Sequence, residues 1–226
     1  MYVCLFDIDG TLLASGGAGK HAMYTAIRSE FCPDHVHDGV PFAGRTDRAI
    51  VRDLFQLHAI ENSTENWGRF LRAYLGHLPG CLAERQGHVL PGVSELLSCL
   101  ARRDDVALGL LTGNVRDGAQ VKLGFYGLFD YFRFGGFGDS HMNRDDVARE
   151  ALVDVRRHLG ESVRLDQVWV IGDTPLDVRC ARAIGVRVLA VATGQHTVDQ
   201  LAAEAPDLLL EDLSVASTLH QQLGAS

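Results

Sequence analysis

The chain has 226 residues, 46% apolar and 22% charged, a balance that excludes intrinsic disorder and suits one large domain or a core with a modest insert. Lysines and arginines number 21 against 29 aspartates and glutamates, leaving a formal charge of −8. That charge argues against a nucleic-acid partner, because no basic stripe offers to displace phosphate counterions, yet it leaves room for a small phosphorylated ligand.

Residues 2–6 form a short continuous apolar run that ends in Asp7-Ile8-Asp9-Gly10-Thr11, as a strand buried on both faces does. From about 15 to 88 no strand pattern appears, only helical segments between turns such as Pro33-Asp34, Gly39, Gly44, Gly80 and Gly87. This stretch is expected to be a helical insert, with 1–14 and 89–226 forming the core. Within it, Gly16-Gly17-Ala18-Gly19-Lys20 lacks the flanking Gly and the Ser or Thr of a phosphate-binding P-loop, since Ala14 and His21 occupy those places. These glycines are read as a hinge into the insert. His35-Val36-His37 near Cys32 lacks a fourth ligand for a soft metal and reads as a loop. Trp67, Phe70 and Tyr74 share a helical face suited to the insert's core.

After Pro91-Gly92 the pattern alternates. Helix-period segments at 92–103, 115–124, 145–158 and 176–184 separate apolar runs at 106–111, 168–171, 186–191 and 207–210. Strand–helix alternation at this spacing predicts an α/β, Rossmann-like parallel sheet with helices on both faces. The run at 106–111 ends in Thr112-Gly113-Asn114, and the run at 168–171 ends in Gly172-Asp173-Thr174-Pro175-Leu176-Asp177. Ligands bind outside the carboxyl ends of such strands, so Asp7, Asp9, Asp173 and Asp177 are expected on one rim. Crowded carboxylates repel one another without a cation, and an all-oxygen donor set suits a hard divalent ion, Mg²⁺ first.

These residues resemble the haloacid-dehalogenase-like hydrolase superfamily, and its phosphoglycolate-phosphatase-like branch in particular. Asp7 to Thr11 resembles its first motif, Leu110 to Asn114 its second, and Gly172 to Asp177 its fourth. The third motif is usually a lysine, but Lys20 and Lys122, the only lysines, fall outside its interval. Arg144, at the end of the Gly135–Arg144 segment, stands at a similar spacing before Asp173, and an arginine can hold a phosphoryl group bidentately. Arg133 and Arg149 are weaker candidates.

The resemblance implies a Mg²⁺-dependent phosphatase acting on a small phosphorylated metabolite, phosphoglycolate being the first guess. Asp7 would be the nucleophile and Asp9 the acid–base residue. Mg²⁺ would be held by Asp7, the Asp9 carbonyl and Asp173, with Asp177 as an outer ligand or support. Thr112, Gly113, Asn114 and Arg144 would bind the phosphoryl oxygens. The insert corresponds to the family's cap. In Gly44-Arg45-Thr46-Asp47, Arg45 would reach the far end of the substrate, or Asp47 would merely cap the helix that follows. A phosphomutase of the same family and a non-catalytic phosphate-ligand regulator are the alternatives; the second aspartate argues against dehalogenation.

The five cysteines are scattered without a C-x-x-C pair, so reduced thiols are expected. The first residues look unlike a signal peptide, and no apolar stretch approaches the roughly 18 residues that span a bilayer. A cytoplasmic monomer or homodimer, with neither nucleic-acid nor membrane partners, is expected.

Overall fold

In the computed structural model, residues 1–33, 35, 37–215, 219, 223 and 224 are described. Asp34 of the Pro33-Asp34 turn and Val36 of the histidine stretch lie outside them. The chain runs β1 (Tyr2–Phe6), β2 (Leu13–Ala14), α1 (Ala18–Phe31), α2 (Asp47–Leu57), α3 (Thr64–Glu84), β3 (His88–Val89), α4 (Val93–Leu100), β4 (Val106–Leu111) and α5 (Arg116–Phe125). It continues through β5 (Gly135–Gly136), α6 (Arg144–Leu159), β6 (Val168–Gly172), α7 (Pro175–Ala183), β7 (Arg187–Val191), α8 (Val198–Ala202) and β8 (Leu208–Leu210).

Six strands make one sheet in the order β5-β4-β1-β6-β7-β8, and every adjacent pair is parallel. Alternate residues of each strand serve opposite faces. Cys4, Phe6, Trp169, Ile171, Leu189 and Val191 pack with Leu96 and Leu97 of α4 and Leu123 of α5. Val3, Leu5, Val168, Val170, Val188 and Ala190 pack with Val147, Ala151 and Val155 of α6 and Val178 and Ala181 of α7. Burial on both faces explains why these strands read as unbroken apolar runs. The parallel order puts the residues after β1, β4 and β6 on one rim: Asp7 N–H still donates to Ile171 (2.9 Å) and Thr112 N–H to Gly136 (3.1 Å).

Between β2 and β3, α1–α3 build a third apolar cluster from Met23 and Ile27, Ile50, Leu54 and Phe55, and Phe70, Tyr74, Leu78 and Leu82. The expected core residues Phe70 and Tyr74 are fully enclosed and their rings stack at 5.9 Å, while Trp67 sits at the margin, stacked on Phe70 and covered by the Arg48 guanidinium. The chain leaves and re-enters the core through a two-stranded antiparallel ribbon, Leu13 opposite Val89 and Ala14 opposite His88. The reading of 15–88 as free of strand therefore fails at His88. Two residues per strand are too few for any periodicity to show. The same is true of β5, a pair of glycines at the sheet edge.

Gly92 opens α4 at φ +77, and a Cβ there would overlap the backbone of Leu213 and Ser214. Gly92→Ala adds a left-handed strain to an overlap with rigid main chain, and should lower stability by about 2 kcal/mol or more. Urea denaturation checks this; an unchanged midpoint would contradict it.

Candidate active site

Asp7 ends β1, and Asp173 and Asp177 flank the start of α7; all three are buried, each offering an oxygen within 4.8 Å of the others. Thr174 caps α7 and fixes Asp177: Thr174 N–H (3.0 Å) and Oγ1 (2.7 Å) both donate to Asp177 Oδ2. Arg144, the first residue of α6, enters from the opposite side. Its Nη2 lies 2.5 Å from Asp177 Oδ1 and 3.0 Å from Asp7 Oδ1, and it also donates to the carbonyl of Leu111 at 3.3 Å. Thr11 Oγ1 donates to Asp173 Oδ1 at 3.1 Å. Asp7, Asp173, Asp177 and Arg144, all picked out by the sequence, are thus assembled in one place.

Asp9 faces a different set of partners. Its Oδ2 accepts from Lys122 Nζ at 2.6 Å and from Asn114 Nδ2 at 3.0 Å, and its Oδ1 accepts from Ser15 Oγ at 3.2 Å. Lys122 Nζ also donates to Asn114 Oδ1 at 2.6 Å, and Asn114 Nδ2 donates to Thr112 Oγ1 at 2.8 Å. Thr112 is fully buried behind Asn114. Lys122, set aside by sequence reasoning because it lies outside the third-motif interval, is therefore a second site cation. One signal for it was present: it shares the buried face of α5 with Gly118, Ala119 and Leu123, where helical periodicity calls for an apolar residue.

The loop before α2 rests on the core. Asp47 N–H donates to Gly113 (2.7 Å), Val115 N–H donates to Asp47 Oδ2 (2.8 Å), and Arg144 Nη1 donates to Gly44 (3.2 Å). The N-cap of α2 is Thr46, whose side chain accepts from Ala49. Reading Asp47 as that cap is thus corrected: its buried carboxylate reaches across to the N–H that precedes α5. Arg45 lies on the cavity wall, but its guanidinium donates to Asp53 (2.6 Å), Pro41 (2.9 Å) and Ala49 (3.4 Å). Lys20, also on that wall, pairs with Asp38 at 2.7 Å.

Five carboxylates, those of Asp7, Asp9, Asp47, Asp173 and Asp177, share the two cations Lys122 and Arg144. Burial pushes Asp7 up to about 6, with Arg144 pulling it down and Asp177 and Asp9 adding to the rise. Burial, with Asp177 and Asp7 beside it, holds Asp173 well above the usual carboxylate range. Burial acts upward on Asp9 too, but the Lys122 charge and the donors from Lys122, Asn114 and Ser15 outweigh it and hold Asp9 low. For Lys122, the anions Asp9 and Asp47 overcome a burial that acts downward, and the ammonium stays charged. The donor set around Asp7 and Asp173 is all oxygen, and only glycine at 10 and 194 leaves the Asp173 carboxylate uncovered, since a Cβ at either would overlap it. A hard divalent cation fits these residues and would offset their unmatched charge.

A cavity of about 380 Å³ opens above this rim, lined by Asp7, Asp9, Asn114, Lys122, Arg144 and Asp173 from the core and by Gly16, Gly17, Gly19, Lys20, residues 42–45 and Asp47 of the insert. Among the described residues no helix is long and apolar enough to cross a membrane.

A family model described as haloacid dehalogenase-like hydrolase matches residues 4–182. A phosphoglycolate phosphatase of Synechococcus elongatus is 29% identical, over 93% of this chain and 93% of its own length. A phosphoglycolate phosphatase of Rhodospirillum rubrum is also 29% identical, over 84% of this chain and 79% of its own. The crystal structure of a hydrolase from Pseudomonas syringae shares the fold with a TM-score of 0.72 at 20% identity, covering 98% of this chain and 99% of its own.

Asp47 has its own pH signature. Burial pushes it from an ordinary 3.8 up to about 7, against the opposing pull of Lys122 and the Val115 N–H. The folded chain holds that proton through a window in which the unfolded chain has lost it, so stability falls as pH rises from about 4 to about 7. Asp47→Asn keeps an acceptor for Val115 and removes the charge. Its stability relative to wild type should rise across the window by at most roughly 1.4 kcal/mol per pH unit and then level off. Denaturation without metal at about pH 4 and about pH 8 checks this; an equal difference at both would contradict it.

Proposed function

The chain belongs to the haloacid dehalogenase-like hydrolases, and on that premise we propose that it is a Mg²⁺-dependent phosphatase that cleaves a small phosphorylated metabolite through an aspartyl-phosphate on Asp7. The observation that carries this reading is the Asp7 environment: a buried carboxylate at the end of β1, 3.0 Å from Arg144 and beside Asp173, with Asp9 on the same cavity wall. Residues 15–88 act as a cap over that cavity.

The roles follow from the positions. Asp7 is the nucleophile, attacking phosphorus as the leaving oxygen departs. Mg²⁺ would be held by the Asp7 and Asp173 carboxylates and the Asp9 carbonyl; bound there, it neutralises charge between anionic nucleophile and anionic substrate. Asp177 holds Arg144 in place, and Arg144 supplies positive charge to the phosphoryl oxygens. Gly113 and Asn114 line the cavity; Gly113 offers its N–H to the same oxygens, while the Asn114 donors are engaged by Asp9 and Thr112 and fix Asp9 instead. Oδ2 of Asp9 is taken by two donors, so Oδ1 carries the proton to the leaving oxygen and later receives one from the water that hydrolyses Asp7 phosphate.

Phosphoglycolate is the first substrate to try, since two relatives of similar length carry that activity in their names. Three of the five Arg45 N–H donors are engaged by Pro41, Ala49 and Asp53, so a carboxylate on the substrate would compete with Asp53 for this guanidinium.

Hydrolysis of an aryl phosphate, phosphoglycolate and a sugar phosphate tests the reading, each with Mg²⁺ and with a chelator. Turnover should require Mg²⁺ and fall at least about 1,000-fold in a folded Asp7→Asn variant. Turnover undiminished by that substitution, or none of the three esters cleaved, would overturn it.

A further inference from the structure

Lys122 is one of two lysines in the chain, its side chain is 5% exposed, and it belongs to none of the family motifs matched above. We propose that Lys122 is the positioning residue of the acid–base aspartate, clamping one oxygen of Asp9 so that the other faces the leaving group. This rests on the phosphatase reading and assigns a residue that reading does not need.

Lys122 Nζ donates to Asp9 Oδ2 and Asn114 Oδ1, both at 2.6 Å, and Asn114 Nδ2 returns to Asp9 Oδ2 at 3.0 Å. Three side chains from three segments close a triangle of hydrogen bonds, and turning Asp9 about its side-chain bonds would break two of them. The Asp9 side chain is 39% exposed against 5% for Lys122, so the carboxylate opens to the cavity and the ammonium stands behind it. The remaining oxygen, Oδ1, meets only the hydroxyl of Ser15 among the described residues.

The site also selects for lysine. Gly19 of α1 lies over the ammonium, and even a single Cβ there would stand 3.0 Å from Nζ and 3.2 Å from Cε. A planar guanidinium is broader and fixed in its fork, so a compact ammonium suits the close approach beneath that helix better. Arginine is used almost everywhere else in this chain, so a lysine under Gly19 is specific to the place.

Positioning acts through Asp9, and its loss should be felt where protonation of the leaving oxygen matters. A 4-nitrophenolate leaves with little help, an alkoxide does not. We would measure kcat/KM for 4-nitrophenyl phosphate and ethyl phosphate with Mg²⁺-loaded wild type, Lys122→Met and Lys122→Gln, together with Asp9→Asn and Asp9→Asn/Lys122→Met. Lys122→Met should lose about 100-fold or more on the ethyl ester and less than about 10-fold on the nitrophenyl ester. Lys122→Gln, whose amide still donates to Asp9, should recover part of the ethyl-ester rate, and it carries the comparison alone if Lys122→Met does not fold. In the Asp9→Asn background Lys122→Met should change the nitrophenyl rate by less than about twofold, as expected of two residues acting as a unit.

Equal losses on the two esters would overturn the proposal and point to Lys122 binding the phosphoryl group. A loss of undiminished size in the Asp9→Asn background would overturn it in favour of a general structural role. Wild type inert towards both esters and towards phosphoglycolate and the sugar phosphate would overturn the phosphatase reading, and this inference with it.

Discussion

Five aspartates share one largely buried pocket with two cations, and most of the structure around them serves to make that tolerable. Carboxylates this close cannot all ionise in a poorly solvated site unless positive charge is brought in. The protein brings in Arg144 between Asp7 and Asp177 and Lys122 against Asp9, and among the described residues gives the Asp173 carboxylate the Thr11 hydroxyl as its hydrogen-bond donor. Asp173 and Asp7 are accordingly pushed up and Asp9 is held low. The pocket is thus divided into a half in which Asp7, Asp173 and Asp177 have one arginine among them and a half in which Asp9 has Lys122, and the first is where a divalent ion fits.

The sheet and the insert explain how such a cluster can be assembled at all. Parallel strands buried on both faces end on one rim, which brings Asp7 and Asp173 together across more than half the sequence without any local contact. The helices that follow supply the cations from their first turn, in Arg144, or their buried face, in Lys122. The insert closes the pocket from above. Its loop at 44–47 bonds to Gly113, Val115 and Arg144, main-chain and side-chain groups adjoining the proposed phosphoryl site. The placement of the insert and the geometry of the proposed phosphoryl site are therefore one mechanical problem, because the loop cannot lift without releasing these bonds.

Much of this was legible in the sequence. The apolar runs at 2–6, 106–111 and 168–171 declared themselves because both faces of those strands are buried, and Asp7, Asp173 and Asp177 stood at their ends. The ribbon of β2 and β3 and the two-glycine β5 were not legible, since strands of two residues carry no period. Lys122 was missed for a different reason: its role depends on a fold in which α5 lies under Gly19, and its spacing matched no motif. The alternative that Asp47 caps the following helix rests on the usual place of an aspartate before a helix; here Thr46 takes that place and Asp47 bonds to Val115. Arg45 shows the reverse limit, as a promising basic residue already paired with Asp53 inside the insert.

The central claim is that Asp7 carries the phosphoryl group, and trapping it there is the most direct test. Enzyme mixed with Mg²⁺ and excess substrate would be quenched in acid within the first turnovers, digested, and its phosphoryl adduct located by mass spectrometry. The account predicts an acid-stable, base-labile adduct on the peptide holding Asp7, absent from Asp7→Asn. Full turnover with no adduct at Asp7, or an adduct on Asp9 or Asp173 instead, would contradict it.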